Sequence, residues 1–143
     1  MPDFASDFFA HDQALRAQVE YVDLSIVLWK DGELEPSATT TWAEILAAQC
    51  DFSGYALITL LALEGPFRFE DGGWYLDTGL LVWEVVTATP LVTNVVGGYA
   101  IADADSNVLQ VGTLDSPVPM AVVGDPLELV IRQAYGVPVI TTV

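Results

Sequence analysis

Cysteine and histidine each occur once in the 143 residues, as Cys50 and His11. A single cysteine excludes an internal disulfide and a cysteine-based metal site. A cysteine nucleophile needs a neighbouring base, and His11 is the only imidazole available. Cys50 therefore reads as a small buried apolar residue at the end of a helix, and His11 as a packed or solvated side chain. Basic residues are scarce too: Arg16, Lys30, Arg68 and Arg132 stand against 20 acids, for a net charge of −16. Nucleic-acid binding relies on cations that displace counterions, so this chain is not expected to bind nucleic acid or an anionic membrane surface. No apolar run reaches the roughly 18 residues of a membrane helix. The opening Met1-Pro2-Asp3-Phe4 has no basic stretch ahead of an apolar one, so no secretory leader is expected. No Gly-x-Ser-x-Gly elbow, phosphate loop or His-Glu-x-x-His element occurs. Gly97-Gly98 lacks the spacing of a dinucleotide fingerprint.

What the sequence does have is apolar residues, 52% of the chain, with only 17% charged. That excludes a disordered chain, a coiled coil and a collagen-like chain. The length fits one domain over residues 1–143 that buries about two-thirds of its unfolded surface. A chain both acidic and apolar suggests that large apolar faces are covered by copies or partners while the remaining surface carries the charge.

Two short helices are expected in the N-terminal third. Ser6 caps the first, with Phe8, His11, Leu15 and Val19 along one face. Thr41-Trp42-Ala43-Glu44 matches a capping box opening the second, which runs to Gln49 and should lie over one end of a sheet. Between them, Leu24, Ile26 and Leu28 alternate with Asp23, Ser25, Val27 and Trp29 in the period of a half-buried strand. Strands then follow at spacings near ten residues. Tyr55–Leu63 is apolar on both faces and predicts a central, doubly covered strand. Phe67 and Phe69 precede the turn Asp71-Gly72-Gly73. Leu80–Ala88, Val95–Ala102, Val108–Leu114 and Leu127–Arg132 complete the pattern, with an edge-like piece between Pro117 and Pro119 and a β-rich tail from Pro138. Gly97-Gly98 inside a strand predicts a bulge or a close backbone approach. About eight strands without long helices between them predict an all-β, antiparallel β-sandwich, with the jelly roll as one form. Its core should hold Leu24, Ile26, Leu28, Leu57, Leu61, Phe67, Phe69, Trp83, Leu129 and Ile131.

Candidate chemistry is thin. Glu84 interrupts an apolar strand and could serve as one of a glycosidase's paired carboxylates, but alternation turns it outward while Leu81, Trp83 and Val85 point in. Asp103-Ala104-Asp105-Ser106-Asn107 opens like a calcium loop. Val108 and Leu114 stand where the sixth-position glycine and twelfth-position glutamate are required, so an Asx-type turn is expected instead. Trp29, Trp42, Trp74 and Trp83 could stack on sugars or anchor a core or an interface. No catalytic residue, metal or cofactor is expected.

Phe52-Ser53-Gly54-Tyr55-Ala56, preceded by Leu28-Trp29 and Thr41–Ile45 and followed by Gly98-Tyr99-Ala100-Ile101-Ala102-Asp103-Ala104, resembles small β-sandwich proteins encoded among the structural genes of tailed bacteriophages. Some of these are capsid decoration or cement proteins. The resemblance spans roughly residues 8–135. It implies a virion component on the capsid surface, made in the host cytoplasm, with a major capsid or other virion protein as partner. The alternative is a tail-associated or receptor- or carbohydrate-binding module. Composition adds self-association as a dimer or trimer. Arms at 1–12 and 137–143 would connect the copies, and the expected interface residues are Phe4, Phe8, Phe9, Trp42, Trp74, Val137, Val139, Ile140 and Val143.

Overall fold

The computed structural model describes residues 22–62, 64–70 and 73–135. The expected first helix and both expected arms lie outside the described residues. So do the side chains of Phe67, Phe69 and Trp74. Within the described residues the chain is mostly β. The strands are β1 (Val22–Lys30), β2 (Ile58–Ala62), β3 (Glu64–Glu70), β4 (Gly73–Asp77), β5 (Leu81–Glu84), β6 (Asn94–Ala102), β7 (Val108–Met120), β8 (Pro126–Leu129) and β9 (Arg132–Tyr135). One helix, α1 (Trp42–Ala47), lies between β1 and β2. The strands form antiparallel sheets in the orders β2-β1-β6-β7, β3-β4-β9 and β5-β8.

The central and edge positions are the reverse of those expected. β1, read as half-buried, lies inside the four-stranded sheet, and both its faces are covered. Leu24, Ile26 and Leu28 face the main core, and Val27 faces a second cluster with Ile45 of α1 and Ala100 of β6. The polar residues Asp23 and Ser25 sit only at the start of β1, and the alternate positions that follow, Val27 and Trp29, are themselves apolar. The segment read as central is shorter and lies at the sheet's edge as β2. Ile58 and Leu60 are half-buried against the core, while Leu57 and Leu61, expected inside, are 45% and 77% exposed. Among the described residues no strand lies beyond β2, and the face bearing Ile58 and Leu60 is the better covered one.

The paired glycines do what their position predicted. Trp29 pairs with Gly98 and Lys30 with Val96, so Gly97 is the extra residue of a bulge. One extra residue reverses facing, and Val96 is fully buried in the main core. At Gly98 a Cβ would overlap the Gly112 carbonyl oxygen and the Trp29 indole.

The two smaller sheets are joined end to end. Asp77 pairs with Arg132 and Leu81 with Leu129, so Thr78, Gly79 and Leu80 lie opposite Val130 and Ile131. The Thr78 N–H donates to the Ile131 carbonyl at 3.1 Å, and the Ile131 N–H donates to Thr78 Oγ1 at 3.1 Å. Gly79 takes φ +70°, a left-handed value glycine adopts without penalty. β4 running into β5, and β8 into β9, thus make one ribbon bent at a bulge. The stretch read as a single strand, Leu127–Arg132, is split at this bend. Trp74, next to the expected Asp71-Gly72-Gly73 turn, belongs to β4 and pairs with Tyr135. Pro117 and Pro119 lie within the 13-residue β7 rather than in a separate piece. They are tolerated because β7 is an edge strand.

The main core joins Leu24, Ile26 and Leu28 to Leu81, Trp83 and Leu127 of the β5-β8 pair, with Ile131 at the bend. Leu129, expected inside, is only half-buried. Helix α1 begins as expected: Thr41 Oγ1 accepts from the Glu44 N–H at 3.2 Å and donates to Glu44 Oε1 at 3.1 Å. Its one buried residue, Ile45, meets Val27 and Ala100, a cross-strand pair in the middle of the β1–β6 ladder. The helix therefore covers the sheet's second face rather than one end.

Candidate functional site

A groove of about 350 Å³ separates the 36–40 segment from the start of β7, lined by Pro36, Ser37, Thr40 and Val108–Val111. Its polar groups already have partners in the same chain. Thr40 Oγ1 accepts from the Ser37 N–H at 2.8 Å, and Gln110 Nε2 donates to the Tyr99 hydroxyl at 3.0 Å. A second hollow of about 330 Å³ is lined by Ala38–Trp42 and Ser106–Val108. There Thr41 is engaged by Glu44, and Asn107 Nδ2 donates to Asp103 Oδ2 at 3.1 Å. Each of these bonds lies within one wall: the 37–40 loop, the α1 cap, the β6–β7 turn or the β6–β7 pair.

The turn between β6 and β7 has the Asx form the sequence suggested. Asp103 Oδ1 accepts the N–H groups of Asp105 and Asn107, each at 2.9 Å. These bonds hold the Asp103 carboxyl below the usual carboxylate range, Asn107 contributing most. Among the described residues no three His, Cys, Asp or Glu side chains gather to hold a metal ion. No described helix is long and apolar enough to cross a membrane.

Cys50 is buried just after α1, and its N–H donates to the Leu28 carbonyl at 2.9 Å. Burial pushes its thiol up to about 12, only partly offset by Lys30. The reactive thiolate is therefore suppressed near neutral pH. Lys30 itself lies 3.5 Å from Glu33 and 4.0 Å from Asp51. Burial likewise raises the Tyr55 hydroxyl, which accepts from Gln49 Nε2 at 2.8 Å.

The tryptophans divide by role. Trp29 and Trp83 are buried, and their indole N–H groups donate to the carbonyls of Tyr99 at 3.1 Å and Ala56 at 3.0 Å. Both are core anchors, with no free ring face for a sugar. Trp42 is half-buried, packs on the Val27–Ile45–Ala100 cluster and borders the second hollow. Of the other expected interface residues, Phe4, Phe8, Phe9, Val137, Val139, Ile140 and Val143 lie outside the described residues.

The described residues add an exposed aliphatic surface that the expected interface residues do not include. On β5, Leu81 and Trp83 point in while Val82 and Glu84 point out, as alternation required. The outward positions of the β5-β8 pair and its flanks carry Leu80, Val82 and Val130, which are 62%, 50% and 49% exposed. Glu84 and Glu128 lie exposed beside them. Leu57 and Leu61 at the β2 edge are exposed too, as are Val122 and Val123 in the turn before β8. One signal was available: Leu80, Val82 and Val130 occupy the same alternation positions as Glu84 and Glu128, which marks that face as outward. No protein-family model, curated protein or solved structure matches the chain.

Proposed function

We propose that this chain is a structural virion protein of the capsid decoration or cement type, binding a phage head through protein–protein contacts as a homo-oligomer. The observation that carries this reading is the aliphatic outer face of the β5-β8 pair. Leu80, Val82 and Val130 are each about half or more exposed, with Glu84 and Glu128 beside them. An apolar centre with a charged surround is the build of a protein-binding surface. The likeness at Phe52–Ala56 and Gly98–Ala104 supplies the class of partner. In the same reading the four-stranded sheet and the β5-β8 layer form a β-sandwich. The shared core of Leu24, Ile26, Leu28, Leu81, Trp83 and Leu127 supports that arrangement.

A cement protein binds the assembled lattice and not its separated subunits, so it stabilises the shell by mass action. The test is proteomic mass spectrometry of purified particles of the encoding phage, with heat resistance of particles made without the chain. The chain should appear at a fixed ratio to the shell subunit, and particles lacking it should open at lower temperature. Val82→Lys should fold normally and fail to restore heat resistance. Presence in tail fractions alone would favour the tail-associated alternative, and absence from particles would overturn both.

A further inference from the structure

We infer that β2 is a self-pairing edge, at which two copies of this chain join their four-stranded sheets into one continuous antiparallel sheet. The inference names the surface for the self-association proposed above, but rests on strand geometry rather than on a capsid. β2 ends its sheet, with β1 on one side and no described strand on the other. An edge strand presents unpaired N–H and C=O groups, and proteins normally blunt such edges with charge, proline or a bulge. Leu57-Ile58-Thr59-Leu60-Leu61 carries no charge and no proline, in a chain of net charge −16.

The occupant follows from the order of residues. When β2, continued one residue back to Leu57, is laid antiparallel on its own copy with Thr59 opposite Thr59, Leu57 faces Leu61 and Ile58 faces Leu60, each twice. Every pair joins like with like. The exposed Leu57 and Leu61 become cross-strand partners on the outer face, and the core-facing Ile58 and Leu60 extend the buried face. Residues directly opposite on one face stand close enough for side chains to interact. A two-fold interface of this kind uses the same patch on both copies, and a palindromic pattern fits that symmetry. Two copies of so acidic a chain repel over most of their surface, and an uncharged edge is where they can approach.

The experiment uses the full chain, with native mass spectrometry and sedimentation as readouts. The wild type should run at twice the protomer mass. Thr59→Lys and Thr59→Glu each place like charges face to face across the two-fold and should weaken dimerisation at least about tenfold. Thr59 is exposed, so both variants should keep the wild-type circular-dichroism spectrum. Thr59→Val, of the same shape, should keep the dimer. An equimolar mixture of the Lys and Glu variants should give a dimer containing one of each. A monomeric wild type, charged variants that remain dimers, or a mixture that stays monomeric would each overturn the inference. A dimer that binds no shell would overturn the capsid reading alone.

Discussion

The four-stranded sheet ends in β2 on one side and β7 on the other, and the two edges are built differently. β7 is 13 residues long and carries Pro117, Pro119 and the exposed Asp115. Its register with β6 jumps from Thr113–Gly98 to Val118–Val96. Four residues of β7 thus lie opposite the single Gly97, and Leu114 is turned onto the core. Proline, charge and bulge are the devices that keep an edge from adding another strand. β2 has none of them. A sheet that protects one edge three ways and leaves the other uncharged treats them as surfaces with different roles. Exposure alone does not distinguish the two edges: β7 has exposed positions too, among them Asp115, Pro117 and Pro119.

The largest effects should come from the strands between these edges. Gly98 sits on β6, which carries β7, and a side chain there would meet the Gly112 carbonyl and the Trp29 ring. Gly98→Val should lower the unfolding free energy by about 3 kcal/mol or more, since the obstruction includes backbone. Chemical denaturation checks it, and a near-neutral result would mean that β7 does not lie where the register puts it. Next comes a contrast between two apolar side chains on paired strands. Ile26→Ala on β1 removes a fully buried side chain and should cost about 2–5 kcal/mol. Leu61→Ala on β2 should change stability by under about 0.5 kcal/mol. Both belong in the Thr59→Lys background, because dimerisation would add its own stabilisation. An equal loss at the two positions would contradict the exposure of Leu61.

These contrasts mark how far the sequence was legible. The strand pattern, the α1 cap, the Gly97-Gly98 bulge and the Asp103 turn could be read because each depends on neighbours a few residues away. Thr41 needs only Glu44, and Asp103 needs only Asp105 and Asn107. Sheet position was not legible in the same way. Val27 and Leu57 are both aliphatic in strand-like stretches, and what separates them is α1, which covers Val27 and not Leu57. That choice is tertiary, as β-propensity itself largely is. β4 was missed because Gly72-Gly73 punctuates its start, which masked the short strand behind it. Among the described residues the candidate surfaces were only partly legible. Alternation oriented Glu84 correctly, but attention to tryptophan favoured side chains that the fold uses internally.

The edge comparison can be broken from the other side. Replacing Asp115, Pro117 and Pro119 together with threonine removes two of the three protections from β7 and leaves its bulge. A chain with both edges able to pair no longer closes at two copies, because unlike edges can add end to end. Light scattering should detect species larger than any the wild type forms at the same concentration. If none form, the bulge alone closes β7.

The smallest effect concerns the turn that tethers the closed edge to its neighbour. Asp103 ends β6's side of that turn, and its carboxylate accepts the N–H groups of Asp105 and Asn107 just before β7 begins. These bonds favour the ionised form, so the folded-state pKa lies below the unfolded value of about 3.9. The sign follows from linkage. The contribution to stability is complete above that unfolded value and is lost as pH falls through the lower, folded one. Acidification should therefore loosen the start of β7 before the core, which responds to none of these bonds. Amide exchange at Val108 and Leu109, compared between about pH 5 and about pH 3 after correction for intrinsic rates, should show a fall in protection. In Asp103→Asn an amide oxygen can still accept but does not titrate, so that local fall should disappear while the acid response of the rest of the sheet remains. The group is solvent-exposed, which keeps the effect local and small. An unchanged acid profile in the variant would mean that β7 is held by its ladder to β6 and not by the turn.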